Sequence, residues 1–476
     1  MSSTRPRSRS WMKSSVARMV GCQWFQSGGV RSCCICPPPS KSRAGRQGAL
    51  FRTCAPRRAR PSVHSSDTYP IMRRLLFLLA LPALHAADWP QFLGPKRDAR
   101  AAADEPALPA SFAREPEALW KKSAGSGFAG PVVSGGKLIL FHREGGDMTT
   151  EALDARTGAV LWRSVYVTDY VDSFGFDNGP RAVPAIADGR VLTHGPEGRV
   201  TALDLATGRE LWAYDTAAKA GSEQGFFGRA PSPLVIGEKV FIAAGGEIGG
   251  QPAGVIALDV KTGAPVWHCA DDEAGYASPA HEGNHLLCWM RNRLWLLDAP
   301  SGRVLHSLPL RSRMDASVNA ATPVPCGGGR WFVSAGYGVG ANLFEITSKQ
   351  ELKEVWSRQD ALDCHYATPV FHDGHLYGFH GRQETGMKLR CIRLSDGATA
   401  WEAPDNLPGG TLLLVKDRLL IVTEQGELWI VPATPERFEK SMSVQILRAG
   451  HRSHAAYADG VLHARDSEQL VAVPLR

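Results

Sequence analysis

The sequence predicts an all-β fold: an eight-bladed β-propeller of four-stranded antiparallel blades, closed by pairing of its N- and C-terminal strands. Three observations predict it. A hairpin motif recurs whose last fixed residue is Trp, at Trp120, Trp162, Trp212, Trp267, Trp356 and Trp401, with His306 filling one place in the series. The steps between these positions run from about 39 to about 55 residues, the span of one propeller blade. Finally, Leu119-Trp120-Lys121 has no sheet upstream, while Val461 to Leu475 lacks a returning strand, so each end supplies what the other misses and two exposed edges disappear.

Taken in chain order, the first segment stands apart. Residues 1–71 hold 13 Lys+Arg and a single acid, Asp67, with no hydrophobic periodicity, and read as a disordered basic extension. Met72-Arg73-Arg74, the apolar run Leu75 to Leu84 and His85-Ala86-Ala87 follow as the charged, apolar and cleavage regions of an export signal over 72–87. The run is too short to span a bilayer. Such a signal works only near an amino terminus, so Met72 is the expected initiator. Cys33, Cys34 and Cys36 lack a matching His/Cys pair at finger spacing and do not read as a metal site.

Composition excludes several classes. With 476 residues, 43% hydrophobic and 8% aromatic, the chain folds rather than remaining disordered. The formal charge of +7 belongs to the first segment, because residues 88–476 carry 39 Lys+Arg against 46 Asp+Glu. An acidic folded part argues against a nucleic-acid partner.

Residues 88–113 read as an N-terminal strap and 114–476 as the propeller. Ala152-Leu153-Asp154, Thr157-Gly158 and Leu161-Trp162 return as Ala202-Leu203-Asp204, Thr207-Gly208 and Leu211-Trp212, and again as Ala257-Leu258-Asp259, Thr262-Gly263 and Val266-Trp267. Asp accepts hydrogen bonds from the turn amides and Gly supplies the left-handed residue of a short hairpin loop. The Trp ring is too large for the interior of one small sheet and is expected between neighbouring sheets, its N-H on a nearby acceptor. Degenerate copies continue through Leu297-Asp298, Phe344-Glu345, Arg393-Leu394 and Trp429-Ile430. Upstream of most hairpins a small residue or Pro opens an inner strand, as in Ser232-Pro233-Leu234-Val235 and Thr368-Pro369-Val370, where Pro costs no ladder bond.

Residues just before the inner strands should ring an axial funnel: Arg181, Arg229, Tyr276, Asn319, His365, Tyr366 and His454. Such a ring suits an anionic ligand held by Arg181 and Arg229 with stacking from Tyr276 or Tyr366. Two Gly-rich loops present Phe174, Phe176, Phe226 and Phe227, which suit a partner surface or packing on the adjacent blade. Cys364, His365, His372, His375 and His380 are dense, but His375 and His380 have opposite strand parity, so no metal is expected. Phosphate loop, serine-hydrolase elbow and zincin helix motifs do not occur in the propeller.

The three strong copies resemble the pyrroloquinoline-quinone-type propeller repeat, with Ala-x-Asp-x-x-Thr-Gly-x-x-x-Trp in each blade, over about residues 114–476; Asp88-Trp89-Pro90-Gln91-Phe92-Leu93-Gly94-Pro95 is similar to the mature start of exported bacterial members. In one branch, the quinoprotein alcohol dehydrogenases, the resemblance implies quinone and calcium over the pore, a catalytic Asp and two adjacent disulfide-linked cysteines. The propeller cysteines here, Cys269, Cys288, Cys326, Cys364 and Cys391, include no adjacent pair. The other branch is an outer-membrane assembly lipoprotein with a lipid-bearing cysteine after its signal, where this chain has Asp88. The reading is therefore an exported, monomeric, non-catalytic scaffold that needs no cofactor and binds a protein or small anionic ligand at its funnel. The alternative is a pyrroloquinoline-quinone and calcium-dependent dehydrogenase of alcohols or sugars, and a third possibility is polysaccharide binding on the aromatic loops.

Overall fold

The computed structural model describes residues 87–109, 111–404, 409–450 and 452–476. The extension 1–71, the export signal up to residue 86, and Cys22, Cys33, Cys34, Cys36 and Cys54 lie outside the described residues.

Each repeat folds as its turn chemistry dictates. In the first strong copy Asp154 Oδ1 accepts from the amides of Arg156 and Thr157 at 3.1 and 2.8 Å and from the Thr157 hydroxyl at 2.8 Å. Asp204 and Asp259 repeat the arrangement. Foremost the threonine hydroxyl, then its amide, holds each of these carboxyls below the usual range. The turn closes a hairpin between the third and fourth strands, and four antiparallel strands make a blade.

Eight such blades form. Blades 1 to 7 span 132–167, 185–215, 234–269, 280–309, 324–358, 370–402 and 410–445. Blade 8 takes three strands from 456–474 and its outermost from Trp120–Ser123. That closing strand runs antiparallel to Gln469–Pro474, pairing Trp120 with Ala472 and Ser123 with Gln469. Closure is reinforced by Lys122, whose Nζ reaches the fully buried Glu151 of blade 1 at 3.1 Å, beside His142 Nε2 at 3.3 Å. Burial pushes the Glu151 carboxyl up, but hydrogen bonds from His142 and Lys122 outweigh it and hold it low.

The Trp of each strong repeat joins one blade to the next. Its cross-strand partner is small, Ala152 opposite Trp162 and Ala202 opposite Trp212. The ring leans onto the turn glycine of the following blade: a Cβ at Gly158 or Gly263 would lie 2.7 or 2.6 Å from Trp120 or Trp212. The same glycines sit at φ of about 70°, so the position excludes a side chain twice over. Indole N-H groups reach the next blade as expected, Trp162 to Leu205 O at 3.0 Å, Trp212 to Val260 O at 3.0 Å and Trp356 to Leu394 O at 2.8 Å. Trp267 is the exception, packed on Gly302 with its Nε1 unbonded.

The strap crosses the face that carries these Asp and Gly turns. Trp89 exchanges two backbone bonds with Val133, at 2.8 and 2.9 Å, Pro90 O accepts from Ile186 N at 2.7 Å, and Ala101 N donates to Leu414 O at 2.8 Å. Leu93, Arg97 and Ala99 all adopt positive φ. At roughly 1–3 kcal/mol for each such residue, the path persists because bonds to blades 1, 2, 3 and 7 fix it.

Candidate functional site

On the opposite face the connections between blades descend toward the axis and line a cavity of about 290 Å³. Its upper wall comes from residues four before an inner strand: Phe128, Arg181, Ala230, Tyr276, Ala320, Tyr366 and Arg452. A lower ring comes from residues two before, among them Val183, Ser232, Ser278 and His454. Side chains two apart in an extended segment share a side, which accounts for the two tiers. Phe92 of the strap closes the bottom, edge-on to His454 with ring centroids 4.9 Å apart.

Five of the seven funnel residues named from sequence, Arg181, Tyr276, His365, Tyr366 and His454, line the cavity. Arg229 and Asn319 do not. Both stand five residues before their strands and are turned into the body of the ring, 3% and 2% exposed. Arg229 ties the loop between blades 2 and 3 through Glu197 O at 2.8 Å and Ser222 Oγ at 2.9 Å, and Asn319 Nδ2 donates to Met290 O at 3.0 Å. His365 holds the same place before Val370 and still lines the cavity, so the hydrogen bonds that tie Arg229 and Asn319 into the loops, rather than register, turn these two away.

One half of the cavity is aromatic. Arg181 lies between Phe128 and Phe227, its guanidinium carbon 5.4 and 5.3 Å from the two ring centroids. It is ion-paired to Asp172 at 2.6 Å and donates to Phe227 O at 3.1 Å. Phe176 and Phe227 line the cavity with Tyr276. Phe174 and Phe226 form the rim, Phe174 lying 5.3 Å from Phe227 and 5.6 Å from Phe226. The four rings therefore pack on one another while Phe176 remains 66% exposed.

The other half is polar. Gln383 Nε2 donates to Glu424 at 3.0 Å and its carbonyl oxygen faces His365 Nδ1, so His365 carries its proton there and Nε2 accepts the Tyr337 hydroxyl at 2.9 Å. Burial lowers the His365 pKa, in keeping with a neutral ring. Glu424 also accepts from Tyr366 Oη at 2.7 Å and pairs with Arg452 at 3.3 Å. Burial first, and Glu424 second, push the Tyr366 hydroxyl well up. Glu384 is matched by Arg382 at 3.3 Å, and that arginine covers the Tyr337 ring at 4.1 Å. Sequence reading missed Phe128 and Arg452, which the four-before rule would have found. It also missed Tyr337, Gln383 and Glu384, which come from turns between second and third strands, and Phe92, which comes from the strap.

The histidine and cysteine cluster around 364–380 is dispersed. His372 Nδ1 meets Arg100 at 2.7 Å, His375 turns to Asp373 O, and His380 accepts from Asp363 N. Cys269, Cys288, Cys326, Cys364 and Cys391 are all unpaired, and burial pushes the Cys364 and Cys391 thiols up to about 12. The calcium implied by the resemblance does not fit the carboxylates at the funnel. Calcium takes six to eight oxygens, yet Asp172, Glu384 and Glu424 are each held by an arginine. Among the described residues no group of three or more His, Cys, Asp and Glu converges.

The sequence model of the family described as outer membrane protein assembly factor BamB matches residues 101–307 and 146–403. The chain belongs to this family. BamB of Burkholderia pseudomallei is 24% identical over 269 residues, 46% of this chain and 66% of that protein. Quinohemoprotein alcohol dehydrogenase ADH-IIG of Pseudomonas putida is 31% identical over 141 residues, 29% of this chain and 19% of that enzyme. The chain thus spans about two thirds of one relative and a fifth of the other. The crystal structure of quinohemoprotein alcohol dehydrogenase from Comamonas testosteroni superposes with a TM-score of 0.58 at 15% identity, covering 81% of this chain and 80% of that one, a likeness of fold.

Proposed function

We propose that this BamB-family propeller is exported and acts as a non-catalytic scaffold that holds a protein or a small anionic ligand against its funnel face. One observation carries the reading. The charged side chains of the funnel wall are matched to one another, Arg181 with Asp172, Arg382 with Glu384 and Arg452 with Glu424, while Phe176 and its neighbours leave apolar surface open beside them. A wall so arranged offers stacking area and oriented hydrogen-bonding groups, which suits binding. Export is supported by the basic, apolar and small-residue sequence over 72–87. The role for which the BamB relatives are named, assembly of outer membrane protein, accords with a protein partner resting on Phe174, Phe176, Phe226 and Phe227.

The competing dehydrogenase reading is tested by incubating the protein with pyrroloquinoline quinone and calcium and following quinone absorbance and dye-linked alcohol oxidation. The scaffold reading expects no saturable uptake and no turnover. Saturable uptake with turnover overturns it.

A further inference from the structure

The lower tier of the funnel carries a hydrogen-bond imbalance. Val183 N donates to Ser232 Oγ at 2.9 Å, Ser232 N to Ser278 Oγ at 2.9 Å, Ser278 N to Thr322 Oγ1 at 3.3 Å, and Thr322 N to Thr368 Oγ1 at 3.0 Å. Each bond passes from one blade to the next around the axis, and all four hydroxyl residues are at most 3% exposed. A hydroxyl carries one donor besides its acceptor pairs. Here each accepts from an amide, and among the described residues none of the four donates its hydrogen to any protein acceptor. Ser232 and Ser278 open into the cavity.

Beneath them lies a cation. Arg97 of the strap, 1% exposed, donates from Nη2 to Ser232 O at 2.7 Å and from Nη1 to Pro233 O at 2.9 Å, and its guanidinium carbon lies 5.7 Å from the Phe92 ring that floors the cavity. Its remaining side-chain partner is the Gln91 amide oxygen at 3.3 Å, and its Nε has none. Among the described residues no carboxylate bonds to it. Burial lowers its pKa to about 9, the sign of a charge without a counter-ion. The wall above adds no net charge, since its three arginines are matched by three carboxylates. An uncompensated buried cation and O-H groups lacking acceptors have the same complement, an oxyanion.

We infer that the base of the funnel binds the carboxylate of a small ligand at Ser232 and Ser278, above Arg97, with the apolar or aromatic body of that ligand against Phe128, Phe227 and Tyr276. The inference rests on the funnel being a binding face and names the chemistry it takes. A neutral ligand that stacks without a charge, as a sugar would, is the contrary outcome.

The test is isothermal titration of the whole protein with phenylacetate and with its neutral isostere phenylacetamide, which needs no variant. Phenylacetate is expected to bind one to one and at least tenfold more tightly than the amide. Ser278→Ala and, separately, Arg97→Met should each weaken phenylacetate severalfold and narrow its advantage over the amide, with thermal melts run alongside to verify folding. Equal affinity for acid and amide, both lost in Phe227→Ala, would overturn the carboxylate site and leave the funnel reading standing. Binding of neither probe would overturn both. Preference for the acid that survives Ser278→Ala and Arg97→Met would place the anion elsewhere and overturn the assignment.

Discussion

The two faces of the ring are built by different rules. On the face of the Asp and Gly turns, one short motif repeats, the Trp of each strong copy leans on the next blade's glycine, and the strap seals the centre. On the funnel face aromatic loops from blades 1 to 3 oppose a polar network from blades 5 to 8. Repetition serves the closed ring because neighbouring blades must present matching surfaces, whereas a pocket needs different groups at different places. Damage to the first face should therefore cost stability, and damage to the second should cost binding.

The largest effect is expected at the repeated face. Trp162→Ala removes a ring that bridges blades 1 and 2 and should destabilise by about 3–5 kcal/mol, read as a lowered midpoint in denaturant. Gly208→Val puts a β-branched side chain at φ 73° into that same ring and should act comparably. If either variant melts like the parent, the inter-blade joint is not what holds the ring.

Next comes pH, at the funnel's support. His194 is fully buried, donates to Pro231 O at 3.0 Å just behind Ser232, and has its pKa lowered by burial to about 4. The unfolded chain takes up the proton first, so stability falls as pH drops from about 6.5 toward about 4, by up to roughly 3 kcal/mol from this group. A His194→Gln variant should lose less stability than the parent between pH 7 and pH 4.5 in paired melts. An unchanged slope would show that other groups set the acid response.

A smaller loss belongs to closure. Lys122→Met leaves Glu151 with Arg163 at 3.7 Å and the His142 ring at 3.3 Å, and because Lys122 is partly exposed the cost should be about 1 kcal/mol, most visible at low salt. The smallest stability change should come from Phe227→Ala in the funnel, under about 1 kcal/mol beyond its lost stacking, although ligand binding there should fall at least tenfold. A variant that binds normally would detach the aromatic half from the site.

The repeated face was readable from sequence because one constraint recurs. Asp, Gly and Trp are each required by a bond, a positive φ or a ring contact, and the copies average out local noise; even His306 follows from spacing, and the split blade at Trp120 and Val461 from the strands that each end lacks. The funnel was readable only in outline. Arg181 and Tyr366 followed from position relative to the strand, yet Arg229 and Asn319 are tied into the loops by hydrogen bonds that position alone does not reveal, since His365 holds the same place and lines the cavity. Phe92 and Arg97 could not be found by the repeat at all, since the strap reaches the axis through tertiary bonds with no periodic counterpart in sequence.

The most direct measurement of the binding face is a crystal of the protein soaked with phenylacetate. The account predicts density in the funnel, its carboxylate against Ser232 and Ser278 and its ring beside Phe227. An empty funnel, or a ligand seated on the strap side near Arg100 and His281, would contradict it.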